Sequence, residues 1–172
     1  MLAAGTAAPV PNKSEENGME INDLLVADGV IADLKATSKK QALQDLARRA
    51  AEMSGLHERA VFDVLMERER LGTTGVGNGI AIPHGKLPKL ERLYGLFARL
   101  EQPIDFQAID ERPVDLIFVL LAPESAGADH LKALARISRL LRDKTVCDKL
   151  RGTDSAEALL AILTESEEDR AA

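Results

Sequence analysis

From Leu116 to Ala122 the chain is apolar at every position, Leu-Ile-Phe-Val-Leu-Leu-Ala, and Pro123 closes the run. A strand wetted on one side alternates polar with apolar residues. An unbroken run of this length therefore predicts a strand, Val114 to Ala122, that is covered on both faces and lies centrally in a sheet. Helical layers are needed to supply that cover.

The rest of the chain supplies strands and helices in alternation. Short strands are predicted at Val30 to Leu34 and Leu93 to Leu100, and another ends at His84. Ser38-Lys39-Lys40-Gln41 has the form of a capping box, and it precedes a helix with Leu43, Leu46, Ala47 and Ala50 on one face and Gly55 as its stop. A second helix, His57 to Arg70, turns Val61, Val64 and Leu65 inward, with Glu67, Arg68, Glu69 and Arg70 in its last turn before Gly72. A third, Asp129 to Arg142, has Leu131, Leu134, Ala135, Ser138 and Leu141 spaced for one buried stripe, and a terminal helix covers Asp154 to Leu163. The pattern predicts an α/β (α+β) fold: a single layered domain, 19–166, with a mixed β-sheet flanked by helices. Residues 1–18, Ala-, Pro- and Asn/Glu-rich without a signal peptide's basic start and long apolar segment, read as a disordered extension or cloning remnant, with Met19 a candidate start; 167–172 read as a flexible tail.

Charge and composition exclude several function classes. A formal charge of −6 argues against general nucleic-acid affinity, which needs excess Lys and Arg. Cys147 is the single cysteine, so neither an intrachain disulfide nor a cysteine-based zinc site is expected, and no redox role is assigned to it. No apolar run approaches the roughly 20 residues that span a bilayer. No membrane contact and a cytoplasmic location follow as expectations.

The chemistry centres on Gly79-Ile80-Ala81-Ile82-Pro83-His84-Gly85-Lys86. An apolar run delivers a histidine onto a Pro/Gly-framed turn: Pro83 fixes φ, and Gly85 lets the backbone turn and leaves space beside the ring. The preceding Gly72-Thr73-Thr74-Gly75-Val76-Gly77-Asn78-Gly79 has P-loop glycine spacing, but Asn78-Gly79 stands where Lys and Ser/Thr would be required. It also fails the dinucleotide fingerprint, because Ile80 takes the third glycine position and a strand follows. It reads as a tight loop buttressing the His84 turn. Of the other histidines, His57 reads as a solvated residue at a helix start. His130, in the first turn of the third helix, faces the same end of the sheet as His84. The pair alone lacks a zinc-binding spacing such as His-Glu-x-x-His, and no metal or cofactor is expected. Arg136, Arg139, Arg142, Lys144 and Lys149 read as a solvated basic face.

The stretch Arg68-Glu69-Arg70-Leu71-Gly72-Thr73-Thr74-Gly75-Val76-Gly77-Asn78-Gly79-Ile80-Ala81-Ile82-Pro83-His84-Gly85-Lys86 resembles the active-site segment of fructose/mannitol-type enzyme IIA proteins of the bacterial phosphotransferase system. Pro113-Val114-Asp115-Leu116-Ile117-Phe118 and Gly127-Ala128-Asp129-His130-Leu131-Lys132-Ala133-Leu134 extend the resemblance, which runs from Met19 to about Leu163 and is strongest toward nitrogen-regulatory members. It implies an enzyme IIA mannitol/fructose-like fold and a phosphohistidine formed on Nε2 of His84, supplied by an HPr-like phosphocarrier. It further implies that His130 hydrogen-bonds the phosphoryl oxygens and that Arg68 neutralises their charge, with Arg70 as the alternative. Thr74 and Gly85 join them as candidate binding positions. The resulting expectation is a phosphocarrier without a small-molecule substrate, controlling target proteins by its phosphorylation state. Three alternatives remain: a sugar-specific enzyme IIA serving an enzyme IIB, a phosphate-independent binding module, and a metal-dependent hydrolase.

Overall fold

In the computed structural model, which describes residues 20–165, the apolar run is strand β6, Val114–Pro123, and it is central as expected. The expected extension 1–18 and tail 167–172 lie outside the described residues. Among the described residues the chain runs β1 (Val30–Leu34), α1 (Lys39–Ser54), α2 (Glu58–Arg70), β2 (Gly75–Gly77), β3 (Ile80–Ala81), β4 (His84–Leu87), β5 (Tyr94–Ile104), β6, α3 (Ala128–Arg142), α4 (Lys144–Arg151) and α5 (Ala156–Thr164). The strands pair in the order β1-β5-β6-β3-β2, with β4 also on β6. The sheet is mixed: β5 runs antiparallel to β6, whereas β3 and β4 run parallel to it and β1 runs parallel to β5.

Alternate β6 residues feed two cores. Ile117, Val119 and Leu121 meet Leu43, Leu46, Val61 and Leu65 of α1 and α2. On the other face Leu116, Phe118 and Leu120 meet Ala133 and Ile137 of α3, with Leu150 and Leu159 from the last two helices. Each Val, Leu, Ile or Phe side chain among them contributes about 1.5–3 kcal/mol when buried. A one-residue slip of β6 would swap its two sets of side chains between layers, so packing locks the register on which the site depends.

Four expectations need correction. Ser38 caps α1 by accepting from the Gln41 amide at 3.1 Å, but Gln41 Oε1 takes the Thr37 amide at 2.8 Å instead of reaching Ser38, so the box is displaced by one residue. The buried stripe of α3 is His130, Ala133, Ile137, Leu140 and Leu141, while Leu131 is 67% exposed. Both sets have helical spacing, and the stripe containing Ile137 and Leu140 is the one that fits β6. The glycine-rich segment is a hairpin, β2 pairing antiparallel with β3 across Asn78 and Gly79, both with positive φ (58° and 82°). Within the expected basic segment, Val146, Cys147 and Leu150 bury one face of α4, which begins where Asp143 accepts the Thr145 and Val146 amides.

Candidate functional site

β3 and β4 are two parts of one line along β6. Ile80 and Ala81 pair with Leu116 and Ile117, and His84 resumes the same register opposite Leu120. Pro83, lacking an N–H, interrupts the ladder while its carbonyl accepts from Leu120 at 3.0 Å. His84 therefore opens a strand, correcting its expected place at a strand's end.

Gly85 also has a different role from the one its type predicted. It lies within β4, its φ is not in the left-handed region, and a Cβ there would collide with Val64 Cγ1 of α2. Its missing side chain permits close approach of α2, not a sharp turn. Successive strand residues point to opposite faces. With Gly85 directed at α2, His84 projects toward the α3 layer, where the His130 ring lies 5.7 Å away between centroids at an interplanar angle of 54°. Arg68 lies one helical turn beyond Val64 on α2, a spacing that puts both on one face. Its Nε–H donates to His84 Nε2 at 3.2 Å, and its Nη1 donates to the Gly72 carbonyl at 2.9 Å. Arg70, the alternative, is exposed and pairs with Glu67.

Those contacts determine the tautomer of His84. Nδ1 is 2.9 Å from the Ile82 carbonyl, which can only accept, while Nε2 faces an arginine N–H, which can only donate. Both bonds form together when Nδ1 carries the proton and Nε2 keeps its lone pair. Burial pushes the His84 pKa below its ordinary value; the Ile82 carbonyl opposes that shift, and the Arg68 charge reinforces it. The ring is neutral near pH 7, with a nucleophilic nitrogen available.

His130 is buried, and its Nδ1 has no hydrogen-bond partner among the described residues. Its pKa is lowered by burial first, then by His84 and Lys86. A buried polar group left unpaired costs about 1–3 kcal/mol. The arrangement thus holds two neutral imidazoles and a guanidinium around one lone pair, a setting suited to receiving a transferred anionic group.

Thr74 is buried and committed elsewhere: its hydroxyl donates to Glu69 Oε1 and its amide donates to Glu69 Oε2 at 3.1 Å. Lys39 reaches the same carboxylate at 2.7 Å and lies 4.7 Å from the Phe106 ring centroid. This buried cluster escaped sequence reasoning, although Glu69 continues the 61, 65, 69 spacing of inward residues on α2. It anchors the site indirectly: the Thr74 carbonyl accepts the Ile82 amide at 2.9 Å, and Ile82 in turn holds His84.

His57 is exposed at the start of α2 and makes no side-chain cap. Cys147 is buried, its thiol donating to the Leu141 carbonyl at 3.2 Å and held up in pKa by burial. Among the described residues no three His, Cys, Asp or Glu side chains cluster as a metal site would require, and no helix is long and apolar enough to cross a membrane.

Comparison with known proteins adds a family to this geometry. Residues 23–166 match the family described as "Phosphoenolpyruvate-dependent sugar phosphotransferase system, EIIA 2". A nitrogen regulatory protein of Bradyrhizobium diazoefficiens is 62% identical over 145 residues, covering 84% of this chain and 95% of that one. The crystal structure of nitrogen regulatory protein IIA-Ntr from Neisseria meningitidis superposes with a TM-score of 0.80 at 37% identity, covering 84% of this chain and 99% of that one. IIA mannitol from Escherichia coli shares the fold, with a TM-score of 0.70 at 21% identity over 81% of this chain and 98% of its own.

Proposed function

The chain belongs to the EIIA type-2 family of the phosphoenolpyruvate-dependent phosphotransferase system, and from that premise we propose that His84 is its phosphoryl acceptor. Membership makes the protein a phosphoryl-transfer component of that system. The observation that carries the assignment of His84 is its pair of ring contacts: Nδ1–H held by the Ile82 carbonyl, and the Nε2 lone pair turned toward Arg68.

In the step we envisage, Nε2 attacks the phosphorus of a phosphohistidine on an HPr-like carrier. The new P–N bond forms as the donor's P–N bond breaks, and the donor imidazole leaves with that electron pair. The Nδ1 proton stays on the His84 ring throughout, donated to the Ile82 carbonyl. Transfer of this kind depends on positioning and charge stabilisation. Arg68, anchored on the Gly72 carbonyl, passes its Nε–H from the lone pair to the arriving phosphoryl oxygens, and the His130 ring donates from the opposite side. Phosphorylation then adds up to two negative charges at the molecular edge. Target proteins that distinguish the charged from the uncharged edge would be regulated by it, and the name "nitrogen regulatory protein" carried by the relative at 62% identity supports a regulatory role of that kind. The reading implies a cytoplasmic location, where phosphoenolpyruvate is available.

Incubation with phosphoenolpyruvate, enzyme I and an HPr-type carrier tests the assignment. Intact mass should show one acid-labile phosphoryl group on the wild type and none on His84→Ala. Phosphorylation of the folded variant, or no phosphorylation of the wild type by demonstrably active donors, would overturn it.

A further inference from the structure

A hollow of about 820 Å³ lies away from the histidines, between the β2–β3 hairpin and the α3–α4 corner. That volume is within the range of small-molecule sites. Its floor is aliphatic: Ile80, Ile82, Leu141 and Cys147 are core residues whose edges reach the hollow, and Val76 stands 46% exposed at the hairpin side. Among the described residues no aromatic side chain lines it, so a planar base would find no ring to stack on.

The charges around it are uneven. Asp115 is already taken by Arg151 in a two-point pairing at 2.8 and 3.0 Å, and Arg151 also donates to the Asn78 carbonyl. That group closes one wall and leaves no net charge. Arg142 and Lys144, by contrast, are exposed on the rim and make no hydrogen bond or ion pair with any described residue. Between these cations and the floor, the Ser138 hydroxyl is half-buried and has no partner among the described residues. The second lining carboxylate, Asp148, lies one helical turn from Lys144 on α4, and its charge also acts on Arg151.

We propose that this hollow, floored by Ile80, Ile82 and Leu141 and rimmed by Arg142 and Lys144, binds a small amphipathic anion: an aliphatic body bearing a carboxylate or phosphate. The body covers the floor, the head group lies between the two cations, and Ser138 donates to it. Neither His84 nor His130 lines the site.

Calorimetric titration with octanoate and octyl phosphate tests the proposal and tells the two head groups apart, with octyl glucoside and inorganic phosphate as the body and head alone. One anion should bind with one-to-one stoichiometry, at least about tenfold tighter than either control, and the Arg142→Glu/Lys144→Glu variant should weaken it by about tenfold. Both positions are exposed, so the variant should fold, and an unchanged melting temperature checks that. Amide shifts should concentrate at Val76, Ile80 and Ser138. His84→Ala should bind as wild type does, which separates failure here from failure of the phosphocarrier reading. No binding of either anion at several millimolar, equal binding of octyl glucoside, or undiminished binding by the double charge reversal would overturn the proposal.

Discussion

Arg68 and Glu69 are neighbours in the last turn of α2 and serve opposite purposes. Glu69 points inward, and its carboxylate takes the Thr74 hydroxyl, the Thr74 amide and the Lys39 ammonium, so its acceptor capacity is well used. Arg68 points to the sheet edge, where it meets a lone pair on His84 beside a histidine whose Nδ1 has no partner. The first cluster has little left to offer a ligand. The second retains donors and a nucleophile that an incoming phosphoryl group would engage. Saturation marks the structural cluster, and unspent hydrogen-bonding capacity marks the one we propose to be reactive.

The sharpest way to break that contrast is to truncate each residue. Glu69→Ala strands a largely buried ammonium and the Thr74 donors, and loss of one partner from a buried pair costs about 3–5 kcal/mol. Urea denaturation should show a loss of that size, with a smaller loss for Glu69→Gln, whose amide oxygen still accepts from Thr74. A loss below about 1 kcal/mol would remove Glu69 from the structural side of the comparison. Arg68→Ala should do the reverse. Stability should change by no more than about 1.5 kcal/mol, the scale of one hydrogen bond. Removing a donor aimed at developing charge should slow single-turnover phosphorylation by about 10²–10³-fold. An unaffected rate would show that the Arg68 contact is only a helix-end interaction.

Gly85 sharpens the comparison, because it sets how close α2 comes to β4. Gly85→Ala places a methyl against Val64, and overpacking of that sort costs about 1–3 kcal/mol. Any outward shift of α2 also carries Arg68 away from His84, so phosphorylation should slow as stability falls. Val64→Ala in the same chain restores the space and should recover part of both losses. Recovery of stability without recovery of rate would separate helix spacing from the position of Arg68.

These effects also explain what could be read along the chain. The limits of β1 and the burial of β6 on both faces follow from local composition, because strand burial leaves a period or a run in the sequence itself. His84 stands out in the sequence through its Pro and Gly neighbours and the family resemblance, although Gly85 spaces α2 from β4 and does not turn the chain. The orientation of α3 was not, because Leu131 and Ile137 belong to two stripes of equally good helical period and only the facing sheet selects one. Asn78-Gly79 is the strongest short-range hairpin signal, but within the glycine-rich run from Gly72 to Gly79 it reads equally as a tight loop, and only the pairing of β2 with β3 decides for the hairpin. Glu69 stayed hidden because a carboxylate in a charged last turn ordinarily faces water, and its partners Lys39 and Thr74 come from separate segments. That His84 meets both Arg68 and His130 depends on the two helical layers closing on one edge strand, which no local pattern encodes.

The smallest effect concerns pH and arises from the unsatisfied side of the comparison. Burial holds both His84 and His130 below their ordinary pKa of 6.5, so on acidification the unfolded chain takes up their protons before the folded one does. Protons bound preferentially by the unfolded state make stability rise with pH. The contribution of the pair is therefore complete above 6.5 and diminishes as pH falls from there toward the lowered folded values. Melting temperature should drop between about pH 7.5 and about pH 5.5, and His130→Gln, which cannot titrate, should drop less over the same interval. Carboxylates titrate in both proteins, so the difference between the two slopes isolates the histidine. Equal slopes would mean that His130 is as easily protonated in the fold as outside it, and a neutral imidazole pair beside the proposed acceptor nitrogen would lose its basis.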